Sequence, residues 1–212
     1  MKVVVFGATG TAGREIVAQA LIEGHEVTAF VRDPAKMTVE DKMGSAKDRL
    51  TALTGDIFDY SAVKQAVQGQ EAVICSLGSS SLTKTNVRGE GTANIVKAME
   101  EENVDRLVVV SAMGTGESWS ALSFTNKLFY ATLLRASRQD HEAQEAVVKE
   151  STLSWTIIRP SGLTDDEPTG DYAIAENIQG ESSKIPAADV AHAIIKELDG
   201  NAFVRMAVTV TN

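Results

Sequence analysis

Apolar positions along this chain follow two rhythms that alternate. Short unbroken runs rich in β-branched and aromatic residues occur at 3–6, 27–31, 50–53, 71–77, 106–110 and 155–159. Runs of this kind predict strands covered on both faces. Between them lie stretches whose apolar residues recur three and four apart, at 16–22, 86–100 and 186–198, and these predict amphipathic helices. Glu23-Gly24-His25 supplies a glycine stop for the first helix, and Pro186 suits the first turn of the last one. A longer helical stretch spans 126–150, a short strand is expected at 172–175, and 203–210 reads as a closing strand. Residues 37–48 are polar and poorly periodic, which predicts a surface loop or frayed helix. Strands alternating with helices leave one sensible architecture, a doubly wound parallel sheet.

The first strand runs directly into Gly7-Ala8-Thr9-Gly10-Thr11-Ala12-Gly13 and then into a helix. Glycines there permit a tight turn at Gly7, close approach of a ligand at Gly10 and close packing of the helix at Gly13. A helix that starts at such a turn presents free N–H groups and the positive end of its dipole to an anion. The context therefore predicts a diphosphate site and a Rossmann-type dinucleotide fold, although the spacing is Gly-x-x-Gly-x-x-Gly. The second strand ends on Val31-Arg32, with Lys36 one helical turn further. Arginine grips a 2′-phosphate, so these cations favour NADP(H) over NAD(H). Asp33 is the carboxylate that an NAD-selecting site would use. Asp56 and Ile57, Leu77 and Gly78, Ser111, and Pro160 close later strands at the same carboxyl edge, where ligands of such sheets bind. Tyr60-x-x-x-Lys64 has the spacing of a dehydrogenase dyad, but it opens the helix after the third strand and is read as coincidence.

Composition narrows the function classes. The 212 residues suit one domain, 1–212, with a small C-terminal substrate-side region. A formal net charge of −9 disfavours a nucleic-acid partner. Cys75 is the only cysteine and sits in an apolar run, which leaves neither a disulfide framework nor a cysteine-based metal site. No apolar stretch approaches the roughly 18 residues of a membrane span, and the first residues do not resemble a signal peptide. A cytoplasmic monomer or weak dimer is the expectation. Residues 115–125 read as a substrate-side loop, and His141, Glu145 and Lys149 recur on one helical face. That recurrence is compatible with a solvated face as well as with a site.

Taken together, Gly7 to Gly13, Val31-Arg32-Asp33, Thr54-Gly55-Asp56, Ser111-Ala112, Ile157-Ile158-Arg159-Pro160 and Ala187-Ala188-Asp189-Val190-Ala191 resemble the atypical short-chain dehydrogenases/reductases with an NmrA-like NAD(P)-binding fold. Within them the chain is most similar to the branch that reduces flavins and biliverdin. The resemblance implies NADPH binding and hydride delivery to a flavin or linear tetrapyrrole. It places Ser111 near the reacting centre and matches Asp140-His141 to an Asp-His pair. Glu145 stands where that branch carries a substrate-facing histidine, so Ser111 and Glu145 are the candidate catalytic residues. Tyr130 is followed four residues on by Leu134, so the tyrosine–lysine dyad is missing and alcohol–ketone redox is disfavoured. A non-enzymatic NADP(H) sensor and an epimerase acting on sugar nucleotides are the competing readings.

Overall fold

Val3 to Phe6 are wholly buried because helices cover both faces of the strand they form. The computed structural model describes residues 1–37, 41–78, 86–121, 135–176, 178 and 184–212. In chain order its strands and helices are β1 (Lys2–Phe6), α1 (Thr11–Ile22), β2 (Glu26–Val31), β3 (Leu50–Thr54), α2 (Tyr60–Val67), β4 (Ala72–Cys75), α3 (Val87–Glu102), β5 (Arg106–Val110), α4 (Arg135–Glu150), β6 (Ser154–Pro160), β7 (Gly162–Thr164), β8 (Ala173–Ala175), β9 (Lys184–Pro186), α5 (Ala187–Gly200) and β10 (Met206–Thr211).

The main sheet has eight strands in the order β3-β2-β1-β4-β5-β6-β10-β8. Every pairing is parallel except β10 with the edge strand β8. The order reverses direction at β1, which is the switch point where such sheets take their ligands. Alternate residues of β1 serve opposite cores: Val3 and Val5 pack with Ile16, Leu21 and Ile194, and Val4 and Phe6 with Val63, Ile95 and Met99. A uniformly apolar run is therefore still a period-two element, with each fully buried side chain contributing about 1.5–3 kcal/mol. Helices α1 and α5 cover one face, and α2, α3 and α4 the other.

Several boundaries differ from the sequence expectation. The fourth strand is shorter than expected, Ala72–Cys75, although Ser76 N still donates to Phe6 O of β1 at 2.9 Å. The long helix is described from Arg135 onward, and the rest of the expected span lies outside the described residues. Within 37–48, residues 41 onward belong to a 3-10 segment, Asp41–Arg49. Pro186 is the N-cap of α5, not part of its first turn. The pairing of β7 with β9 was not foreseen; it forms a separate two-stranded sheet beside the carboxyl edge.

Two carboxylates tie distant segments together. Asn86, the N-cap of α3, supplies no side-chain cap; instead Asp140 of α4 accepts from the backbone N–H groups of Arg88 (3.2 Å) and Gly89 (3.0 Å). Asp189, in the first turn of α5, accepts from Thr169 N (2.9 Å), Thr169 Oγ1 (2.7 Å) and Gly170 N (3.0 Å). These bonds hold the Asp189 carboxyl below its ordinary pKa despite burial. Among the described residues no helix is long and apolar enough to cross a membrane.

Candidate cofactor and acceptor site

The three glycines of the first turn are required for different reasons. Gly7 has φ +82°, and a Cβ there would lie 2.1 Å from the carbonyl oxygen of Ser76. A Cβ on Gly13 would lie 2.1 Å from the carbonyl oxygen of Gly7, so this glycine lets the first turn of α1 sit on the loop itself. Gly10 is different: a Cβ would meet only Gly7 O, at 3.4 Å. The chain's own packing does not demand a glycine at Gly10, and the space over it is what a close-approaching ligand needs. Gly10 caps α1 without a side chain, and no acid occupies the first turn. The N–H groups of Thr11, Ala12 and Gly13 thus open the helix with no carboxylate competing for them. Thr9 offers its carbonyl to Arg14 Nη1 at 3.0 Å, which braces the turn from outside. The cradle fits a diphosphate.

Further along the same edge, Arg32 and Lys36 are exposed, and Arg32 has no side-chain partner among the described residues. Asp33 is occupied locally: it accepts from Ala35 N at 3.1 Å and caps the 3-10 turn Pro34–Lys36. Asp56 likewise accepts from Phe58 N at 2.9 Å, and Asn94 Nδ2 donates to Ile57 O at 2.9 Å, which fixes the loop after β3. A Cβ on Gly91 would sit 2.7 Å from Ile57 and 2.8 Å from Leu77, so this glycine of α3 lets those two side chains close over it.

From the glycine turn a cavity of about 300 Å³ runs past the ends of β4, β5 and β6. Ala12, Leu77, Gly78, Ser111 and Pro160 line it, together with Met113, Arg88, Arg138 and His141. Of the glycine turn only Ala12 lines the cavity; Gly7, Thr9, Gly10, Thr11 and Gly13 do not, nor do Arg32, Lys36, Asp56 and Ile57 at the ends of β2 and β3, nor Glu145. Residues 79–85 and 122–134 lie outside the described residues.

Ser111, immediately after β5, is held by its backbone N–H on Ile158 O (2.8 Å). Its hydroxyl donates to Glu145 Oε1 at 2.8 Å and lies 3.5 Å from His141 Nδ1. Glu145 is not on a solvated face. It is buried, and Arg159 of β6 donates to both of its oxygens, Nε to Oε1 at 2.9 Å and Nη2 to Oε2 at 2.6 Å. Glu117 Oε2 takes a second bond from Arg159 Nη2 at 2.7 Å, and Lys149 Nζ bridges Glu117 (3.1 Å) and Glu145 (3.4 Å). Burial alone would raise the Glu145 pKa, but Arg159 outweighs it and the carboxyl stays below its ordinary range. Burial likewise opposes the Arg159 charge, and Glu145 more than restores it. Glu117 is pulled down to about 2, chiefly by its bond from Arg159. His141 is lowered to about 4, first by burial and then by the Arg88 charge, so at neutral pH it is a neutral imidazole.

Sequence reasoning found Ser111 and the helix that carries Glu145 but gave no role to Arg159, Arg88 or Arg138. A signal for Arg159 was available: a charge flanked by two isoleucines and a proline in a buried strand needs an opposite charge beside it. The Tyr60–Lys64 pair is remote from this site: Lys64 is bound to Glu101 at 2.7 Å, and Lys97 lies over the Tyr60 ring.

A family model described as NAD(P)H-binding matches residues 7–201. The chloroplastic protein At2g34460 of Arabidopsis thaliana is 32% identical over 213 residues, covering 92% of this chain and 72% of that protein. Among solved structures, an anaerobilin reductase (ChuY) from Escherichia coli O157:H7 superposes with a TM-score of 0.81 at 24% identity, over 100% of this chain and 97% of that one. A short-chain dehydrogenase/reductase from Veillonella parvula in complex with NADP gives 0.82 at 21% identity, over 100% and 94%. The glycine cradle, the sheet order and the matched span agree: this chain belongs to the NAD(P)H-binding family.

Proposed function

We propose that this protein is an NADP(H)-dependent reductase that delivers hydride to a flavin-like or tetrapyrrole-like acceptor, in the manner of biliverdin reductase B-type enzymes. The observation that carries the reading is the cavity that starts at Ala12 on the glycine turn and ends at Ser111 and His141, which leaves room for an acceptor beside the cofactor. The turn Gly7 to Gly13 would hold the diphosphate, Arg32 and Lys36 the 2′-phosphate, Asp56 and Ile57 the adenosine end, and Leu77, Gly78 and Pro160 the walls. When bound, the nicotinamide supplies the hydride.

The chain's own residues orient the partners more than they exchange protons. Glu145 has both oxygens engaged by Arg159 and is ionised, so it is no proton donor. It acts through Ser111, as a positioning residue that accepts the hydroxyl's hydrogen bond and leaves the serine oxygen's lone pairs turned to other partners. No tyrosine or lysine lines the cavity among the described residues. A ketone acceptor needs a positioned acid at its oxygen, whereas a flavin reduced by hydride draws its proton from solvent. The NADP complex and the anaerobilin reductase on the same fold are precedents for the cofactor and acceptor classes.

The test is direct: mix the protein with NADPH and FMN and follow the loss of reduced-nicotinamide absorbance. Oxidation faster than the uncatalysed rate is expected. Tight NADPH binding with no turnover on flavin or tetrapyrrole acceptors would overturn the reading in favour of a sensor.

A further inference from the structure

The lining of the cavity has an unusual charge balance for this chain. The protein carries a formal net charge of −9, yet the described residues that line the cavity include Arg88 and Arg138 and no aspartate or glutamate. His141 is neutral at neutral pH, so among the described lining residues the two arginines carry the charge.

Both guanidinium groups are only partly used. Arg88, at the start of α3, keeps 11% of its side-chain surface and makes one long side-chain bond, Nη1 to Asp140 Oδ2 at 3.5 Å. Arg138, on the first turn of α4, stacks over the Trp119 ring at 4.5 Å and bonds Glu142 through Nη1 alone, at 3.1 Å. The Nε–H of each arginine is buried with no partner. A guanidinium offers five donors; Nε–H is sealed from the cavity and Nη1 is engaged, so Nη2 is the donor each arginine has left for an acceptor arriving there, and 26% of the Arg138 side chain is exposed. Asp140 links the two sites mechanically: it caps α3 next to Arg88 and lies two residues from Arg138.

Resting on the reductase reading above, we propose that the cavity selects acceptors that carry an anionic group, a carboxylate or phosphate, held by Arg138 and Arg88. Trp119 fixes the Arg138 plane, which leaves Nη2 as the charged donor for the anion.

FMN and riboflavin share one ring system and differ in the phosphate, so they isolate this contact. Their dissociation constants, measured by flavin fluorescence on the NADP⁺-loaded protein, need no turnover. FMN is expected to bind roughly ten- to a hundredfold more tightly than riboflavin, the effect of one charge-assisted contact, and its affinity alone should fall with added salt. Arg138→Gln should erase the preference, and Arg138→Lys should restore part of it. Equal affinity of the wild-type protein for the two flavins would overturn the proposal, even where both are reduced. A preference for FMN with no NADPH oxidation on flavin or tetrapyrrole acceptors would uphold this site while sinking the reductase reading. NADPH affinity is read on the same variants: a loss as large as that for FMN would assign the arginines to the cofactor phosphates and also overturn the proposal.

Discussion

Arg159 on β6 and Glu145 on α4 face each other through two hydrogen bonds of 2.9 and 2.6 Å, with 2% and 3% of their side chains exposed. Burying two charges is costly, and their attraction offsets the cost only while both are present. Either Glu145→Ala or Arg159→Met should therefore destabilise the fold by about 3–5 kcal/mol. The double variant Glu145→Leu with Arg159→Met should recover much of the loss, because no orphan charge remains. Urea denaturation midpoints check this. Equal instability of single and double variants would show that the pair holds more than its own charges.

His141 makes stability depend on acid. Its folded pKa of about 4 lies below the unfolded value, so between about 4 and 6.5 the unfolded chain binds more protons than the native one. Stability is complete above that window and falls as pH drops through it, by at most ~3 kcal/mol for this one group. Glu145 adds a further loss at lower pH, because a depressed carboxyl loses its contribution as it is protonated. His141→Gln should flatten the upper part of the pH–stability curve and leave the lower part in place.

The glycine turn predicts two opposite outcomes from similar substitutions. Gly13→Ala places a methyl 2.1 Å from the Gly7 carbonyl and should destabilise the protein by about 3 kcal/mol or more. Gly10→Val meets no such obstacle at its Cβ, so the fold should survive while NADPH binding is lost. Thermal melts and nucleotide titration separate the two. Retained NADPH binding in the Gly10 variant would remove the diphosphate from this turn.

Arg32 is exposed and unpartnered among the described residues, and its neighbour Asp33 is engaged on Ala35. Arg32→Ala should weaken NADPH by about 1.5–3 kcal/mol and leave NADH nearly unchanged. Equal losses for both cofactors would refute a contact with the 2′-phosphate.

Much of this was legible in the sequence because local chemistry decided it. The strand before Gly7 and the helix that follows the turn lie where the pattern puts them, and Gly78 and Ser111 share one cavity at the carboxyl edge, whereas Asp56 lies outside it. What the sequence hid was the third dimension of α4. At four-residue spacing His141, Glu145 and Lys149 look like any exposed face, and only the approach of β6 makes Glu145 the partner of a buried arginine. Arg88 and Arg138 were hidden for the same reason. Each sits on a helix with ordinary surface composition, and their shared cavity depends on Asp140 docking one helix end onto the other. The end of the fourth strand was placed too late because the apolar run continues to Leu77 past the last paired residue, Cys75.

The grip of Asp189 on Thr169 and Gly170 has a practical corollary for engineering. That carboxylate does not act alone on the stretch between β7 and β8: Asn212 Nδ2 donates to Thr169 Oγ1 and the Tyr172 hydroxyl meets His192 Nδ1, each at 2.9 Å. Exchanging that stretch for another therefore means moving residues 189, 192 and 212 with it, because all three hold it in place.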